Sequence, residues 1–344
     1  MNGEPNMVDE RKSVVVTQKF FDGETIRFLE ENGCDVTVAR FPEGVTDATA
    51  GEAELIALLA EADAWIVGHA QVTLSLLQAL PRLKIVARRG VGYEKVDLDA
   101  ARQTGKVVTI AAGGNEESVA DRTLALMLGV AHRLRESQQQ LIDGPGAILL
   151  GHDLHARTVG IIGLGRIARN VVRRLKAFDA TVLVHTPRPD PAYADAMGVE
   201  YVDLDTLLER ADFVSLHAPF KPETKHLINA GRLALMKPDA FLINTGRGGL
   251  VDDRALLAAL QEERLGGAGL DVFESEANPA LADVTRELVR RPDVVATPHS
   301  GASTHEGLRR TNQVAARCVV SVLNDQEPPS GCLIVGHSRL RPVY

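Results

Sequence analysis

The sequence predicts an α/β protein built from two doubly wound parallel sheets, one following the other along the chain. Short β-branched runs alternate with amphipathic helical stretches, and the alternation restarts after a long helical segment near the middle. The second series opens with Thr158-Val-Gly-Ile-Ile162, apolar at every position but the first, as suits a strand covered on both faces.

Taken in order, the first series places strands at residues 13–17, 35–39, 64–67, 84–87 and 106–110. Valine and isoleucine dominate these runs because branched side chains fit a pleated surface. Helical stretches such as 51–61 and 97–104 lie between them. A strand–helix–strand connection within one sheet is right-handed and makes its strands parallel. Gly113-Gly114 then leads into a single expected helix from about residue 117 to 140. The second series has strands at 158–162, 181–185, 213–217, 240–244, 267–270 and 294–297, followed by a helix over 304–324. A tail punctuated by Pro328-Pro329-Ser330-Gly331 ends the pattern.

The bulk numbers agree with this division. A length of 344 residues suits two ordinary domains. With 45% hydrophobic and 24% charged residues the chain can fill globular cores, and with 4% aromatics those cores must be aliphatic. A net charge of -8 leaves no basic face for nucleic acid. It does not forbid a small anionic substrate, since one or two placed arginines reverse the local field. Cys34, Cys318 and Cys332 are too scattered for a disulfide framework or a zinc site, so no metal is expected. No signal-peptide pattern opens the chain, and no apolar run reaches the ~20 residues that span a bilayer. A cytoplasmic protein with no membrane partner is expected.

After the strand ending at Ile162 comes Gly163-Leu-Gly165-Arg-Ile-Ala168. Gly163 permits a tight turn, Gly165 lets the backbone approach a pyrophosphate, and Ala168 lets helix and strand pack closely. The helix that follows would offer its N-terminal N–H groups to phosphate. A glycine turn chosen only for packing is the plainer alternative, but the strand–turn–helix setting favours a dinucleotide. The acidic residue that usually meets the adenosine ribose is replaced by Thr186, with Arg188 two residues on and no carboxylate before Asp190. That pattern leans toward NADP(H) over NAD(H). With Arg188 a solvated loop residue, NAD(H) fits as well.

Three more segments each follow an expected strand: Asn244-Thr-Gly-Arg247, Asp271-Val-Phe-Glu274-Ser-Glu276 and Thr297-Pro-His299. All three therefore fall at the carboxyl edge of one sheet, where open α/β folds bind ligands. Singly, His299 reads as a loop histidine, Glu276 as a solvated charge and Arg247 as part of a turn. Found in this order with the glycine loop, they resemble the D-isomer-specific 2-hydroxyacid dehydrogenase family, which includes D-3-phosphoglycerate dehydrogenases and glyoxylate/hydroxypyruvate reductases. The likeness runs from about Lys84 to Gly301.

The resemblance implies a flavodoxin-like substrate domain over residues 1–110 and 305–344, and a Rossmann cofactor domain over 111–304. It implies a substrate cleft between them, with hinges near 110–115 and 296–304. His299 would be the general acid and base, Glu276 its partner, and Arg247 the holder of the substrate carboxylate. A histidine paired with a carboxylate suits proton transfer near neutrality, and a planar guanidinium suits a carboxylate. The backbone N–H groups of Val91 and Gly92 would hold the other side of that carboxylate. Gly163, Gly165, Arg166, Ile167, Thr186, Arg188, His217, Pro219, Thr224, Thr245 and Asp271 would line the cofactor, Asp271 at the nicotinamide carboxamide. His217 is expected to be structural or cofactor-contacting, not catalytic.

Ala277 stands where family members often have proline, and Gly68-His69 where some phosphoglycerate dehydrogenases place an arginine. The expected substrates are therefore hydroxypyruvate or glyoxylate first and 3-phosphoglycerate second. The partner implied is a second copy of the chain. The competing class is a nucleotide-sensing corepressor that keeps these residues without turnover.

Overall fold

The computed structural model describes residues 11–336 except 145 and 147. The ends of the expected substrate domain, residues 1–10 and 337–344, lie outside the described residues. The chain divides into two compact units: one runs to Asn115 and resumes at Thr304, and the other is Glu116–Ser303.

In the first unit β1 (Lys12–Val16), α1 (Gly23–Glu31), β2 (Cys34–Val38), α2 (Glu52–Leu59), β3 (Ala64–Val67), α3 (Leu74–Ala79), β4 (Ile85–Arg88), α4 (Leu98–Gln103) and β5 (Val107–Ile110) alternate. The parallel strands lie in the order β5-β4-β3-β1-β2, the flavodoxin arrangement. Side chains alternate between two cores: Val14, Val16, Ile66 and Ile85 face one, Val15, Trp65, Val86 and Val108 the other. Both faces are covered, which is why these strands read as unbroken apolar runs.

The second unit begins with α5 (Glu116–Ala131) and α6 (Leu134–Asp143), and here the single helix expected over 117–140 is corrected. Arg133, the N-cap of α6, takes a left-handed φ of 51° and its guanidinium clasps Glu136 at 2.8 and 2.6 Å, so the helix breaks at Arg133. α5 is deeply packed, whereas α6 buries none of its side chains and has no core to hold it in line.

The sheet follows as β6 (Thr158–Ile162), α7 (Arg166–Leu175), β7 (Thr181–His185), α8 (Pro191–Met197), β8 (Val199–Tyr201), α9 (Leu204–Arg210), β9 (Phe213–Leu216), α10 (Ala230–Leu233), β10 (Phe241–Asn244), α11 (Asp253–Gln261), β11 (Gly267–Leu270), α12 (Ala282–Arg290) and β12 (Val294–Ala296). Its strands are all parallel in the order β8-β7-β6-β9-β10-β11-β12. This is the dinucleotide-binding order with one strand added. The order reverses between β6 and β9, the place on an open α/β sheet where ligands bind.

α13 (His305–Leu323) and β13 (Leu333–Val335) return to the first unit. Ala315, Ala316, Val319 and Val322 of α13 pack into one of its cores. β13 joins the edge of its sheet antiparallel to β5, so that sheet is not purely parallel as expected. Both β8 and β13 are three residues long, too short to show a period in sequence.

Candidate active site

The loop between β6 and α7 is shaped by two glycines with different tasks. Gly163 takes a φ of 91°, and a Cβ there would stand 2.9 Å from the His217 carbonyl group and the Ala218 nitrogen. It thus lets the loops after β6 and β9 meet at the reversal point. Gly165 caps α7 without a side chain, and a Cβ there would meet nothing within 4 Å. The space above it is open, and the first-turn N–H groups of α7 have no intrahelical acceptor. Ala168, Val171, Val172 and Leu175 are buried and fix the helix to the sheet. Arg166 is exposed and Ile167 half-buried at the helix start. An open glycine at a fixed helix N-terminus fits a dinucleotide pyrophosphate.

Beyond β7, Thr186 is half-buried and Arg188 exposed. The first carboxylate, Asp190, is engaged elsewhere: it pairs with Arg169 at 2.9 Å and caps α8 through the Tyr193 N–H. After β9, the His217 ring meets Ser215 Oγ at 2.9 Å, and desolvation pushes its pKa down to about 4. Burial thus favours the neutral imidazole at His217. Thr224 Oγ1 donates to the Pro219 carbonyl oxygen at 2.8 Å and accepts from the Lys221 N–H, so this side chain shapes its own loop.

The turn after β10 is drawn by Asn244, whose side chain accepts from the Gly246 N–H and donates to the Arg247 carbonyl oxygen, both at 3.0 Å. Arg247 stands half-buried on that turn. Thr245 beside it is buried, and its hydroxyl shares a 2.9 Å hydrogen bond with Thr123 of α5.

The turns after β11 and β12 bring His299 and Glu276 together, with Nδ1 2.6 Å from Oε2. Both side chains are partly open to solvent, at 44% and 41% exposure, so the pair is accessible to a ligand. The other Glu276 oxygen accepts the Phe273 N–H at 2.8 Å. Burial by itself would raise the Glu276 pKa. The His299 ring, the Phe273 N–H and the Arg247 charge outweigh it and hold the carboxyl below the usual range.

His299 has a left-handed φ of 49°, and Asp271 accounts for that conformation. Its buried carboxylate accepts from Thr297 Oγ1, and from the N–H groups of Ser300 and Gly301 at 2.9 Å each. Its carbonyl oxygen accepts the His299 N–H at 2.7 Å. Asp271 therefore organises the His299 turn, a task the sequence did not reveal.

In the first unit Val91 and Gly92 lie in the loop after β4, where Arg88 Nε donates to the Gly92 carbonyl oxygen at 2.8 Å. Among the described residues neither of their N–H groups donates a hydrogen bond. Also unforeseen is Asp47. Its buried carboxylate gathers Thr17 and Gln18 after β1 with the Gly68 and His69 N–H groups after β3, at 2.7–3.1 Å. A lone aspartate in a loop carries no local signal of such convergence. The same is true of His226, Asp253 and Glu274, which surround the Glu276 turn.

Among the described residues no group of His, Cys, Asp and Glu could hold a metal, and no helix is long and apolar enough to cross a membrane. Residues 124–301, just over half of the chain, match the model of a family described as D-isomer specific 2-hydroxyacid dehydrogenase, NAD binding domain. The chain is 36% identical over 320 residues to D-3-phosphoglycerate dehydrogenase of Methanocaldococcus jannaschii, covering 91% of this chain and 58% of that longer protein. It is 37% identical over 269 residues to glyoxylate reductase of Thermococcus litoralis, covering 76% of this chain and 80% of the relative. Among solved structures, D-lactate dehydrogenase of Aquifex aeolicus with NAD and lactic acid matches with a TM-score of 0.78 and 30% identity, over 95% of this chain and 100% of that one.

Proposed function

The chain belongs to the D-isomer-specific 2-hydroxyacid dehydrogenase family, and from that premise we propose that it interconverts a small 2-keto acid and its D-2-hydroxy acid. Hydroxypyruvate or glyoxylate is the preferred substrate and 3-phosphoglycerate the alternative. The observation that carries this reading is the 2.6 Å pair of His299 and Glu276 beside a turn bearing Arg247.

The Gly163–Ile167 loop would hold NAD(P)H, which when bound would supply the hydride for reduction of the keto group. Arg247 binds the substrate carboxylate and draws electron density toward the reacting oxygen. His299 keeps Nδ1 on Glu276 and gives a proton to the developing alkoxide from its other nitrogen, and in the oxidative direction it takes that proton back. Ionised Glu276 stabilises the imidazolium and fixes the ring's orientation. The cofactor preference is for NADP(H), because no acid stands at Thr186, Asp190 is held by Arg169, and Arg188 is exposed.

The protein works as a homodimer, joined through the second unit. Leu134, Leu141 and Ile142 of α6, with Ile148 and Leu150 beyond it, are large apolar residues more than half exposed. So many on one short segment mark a covered surface. All three cysteines are buried and unbridged, which suits the cytoplasm.

The deciding experiment follows reduced-nicotinamide absorbance with NADH and NADPH separately against glyoxylate, hydroxypyruvate, pyruvate and 3-phosphohydroxypyruvate. Fast NADPH oxidation with hydroxypyruvate or glyoxylate supports the reading. Preference for NADH with the phosphorylated acid moves the chain to the alternative. Cofactor binding without turnover of any acid overturns both.

A further inference from the structure

We propose that Asp253, His226 and Glu274 form a clamp that positions the turn carrying Glu276 and through it the His299 ring. The proposal rests on the reading of Glu276 and His299 as the acid–base pair, and gives that pair a set of positioning residues.

Glu274 opens the short 3-10 turn that ends at Glu276. Its N–H donates to Asp253 Oδ2 at 2.9 Å, and its own Oε1 lies 2.9 Å from His226 Nε2. The turn is thus held at one residue by both backbone and side chain. His226 is fixed in its turn, with a left-handed φ of 49° and its N–H on the Gly249 carbonyl oxygen at 2.7 Å. Gly249 belongs to the turn that bears Arg247, so the clamp ties that turn to the one holding Glu276. From Glu274 the chain needs two residues to reach the carboxylate that meets His299.

The composition of the clamp is costly if stability were its only purpose. Asp252 and Glu274 flank one imidazole, with Lys225 and Arg254 around the adjoining cavity of about 320 Å³. Asp253 is only 3% exposed, and desolvation, aided by its carboxylate neighbours, raises its pKa to about 6. Like charges and strained backbone of this kind gather where a site needs an orientation fixed. A displacement of ~1 Å at such a pair can lower turnover by about 100-fold.

The test compares Asp253→Ala, Asp253→Asn and Glu274→Ala in the full chain, with the 2-keto acid of highest turnover. Cofactor affinity is read from NAD(P)H fluorescence and folding from circular dichroism. The expected result is a fall in kcat of roughly 10- to 100-fold in Asp253→Ala and Glu274→Ala, with KM within about twofold and cofactor affinity unchanged. Asp253→Asn keeps an acceptor for the Glu274 N–H and should recover most of kcat. Folded Glu274→Ala and Asp253→Ala proteins with the parent's kcat and pH profile overturn the clamp. Should Asp253→Ala not fold, Glu274→Ala decides, since it leaves the buried Asp253 and its bond to the residue 274 N–H in place. Full turnover in His299→Gln overturns the acid–base reading itself, an outcome distinct from clamp variants that stay active while His299→Gln is dead.

Discussion

A Cβ on Gly248 would lie 2.1 Å from the carbonyl oxygen of Phe273. This contact locks the turn bearing Arg247 against the turn bearing Glu276, and no side chain fits between them. Gly248→Ala should therefore separate substrate anchor from acid–base pair. The expected outcome is a loss of turnover of about 100-fold and a destabilisation of roughly 1–3 kcal/mol, read by kinetics and thermal melting.

Gly165→Ala makes the contrasting case, since its Cβ meets only open space. Its Tm should stay near the parent's while cofactor affinity falls, because the methyl group occupies the place given to the pyrophosphate. A normal cofactor Kd in this variant would remove the loop from the cofactor site.

His299→Gln should lower kcat by about 10²- to 10⁴-fold with cofactor affinity kept. Glu276→Gln should also lose turnover. The Glu276 carboxyl sits below the usual range, so it is ionised across neutral pH, and its partnership with His299 is lost only as pH falls through that lowered pKa. Near-normal turnover in either variant would sink the catalytic assignment.

Arg188→Ala tests the cofactor preference. A charge-assisted contact to a 2′-phosphate contributes about 1.5–3 kcal/mol, so the Kd for NADPH should rise by more than tenfold while that for NADH hardly moves. Equal effects on both cofactors would return Arg188 to the role of a solvated loop residue.

Asp253 gives a stability signature of definite sign. Its folded pKa, about 6, lies above the ordinary aspartate value, so the folded state holds its proton more tightly. The stabilisation this gives is full below ~4 and lost as pH rises through 6. Asp253→Asn cannot ionise, so relative to the parent it should gain roughly 2 kcal/mol between pH 4 and 7. Melting curves with the same pH dependence in both proteins would contradict the raised pKa.

Light scattering tests the assembly. Leu141→Glu with Ile142→Glu should convert a dimer to monomers without loss of secondary structure, since both side chains are exposed in the single chain. A parent already monomeric at micromolar concentration would rule the dimer out.

The sequence by itself determined the fold class and the family. Alternating apolar runs report local periodicity, and the glycine loop and the segments at Arg247, Glu276 and His299 are local strings. It did not reveal the break at Arg133, because a left-handed residue held by Glu136 leaves the helical period intact on either side. β8 and β13 were equally silent, being three residues each and defined by the edges they join. Only the tertiary structure decided the 2.6 Å spacing of His299 and Glu276, the inward turn of Thr245 to Thr123, and the gathering of backbone N–H groups by Asp271, Asp253 and Asp47. These depend on which strands lie side by side and on the register between them. A buried carboxylate that collects donors from distant loops leaves no period, spacing or composition along the chain.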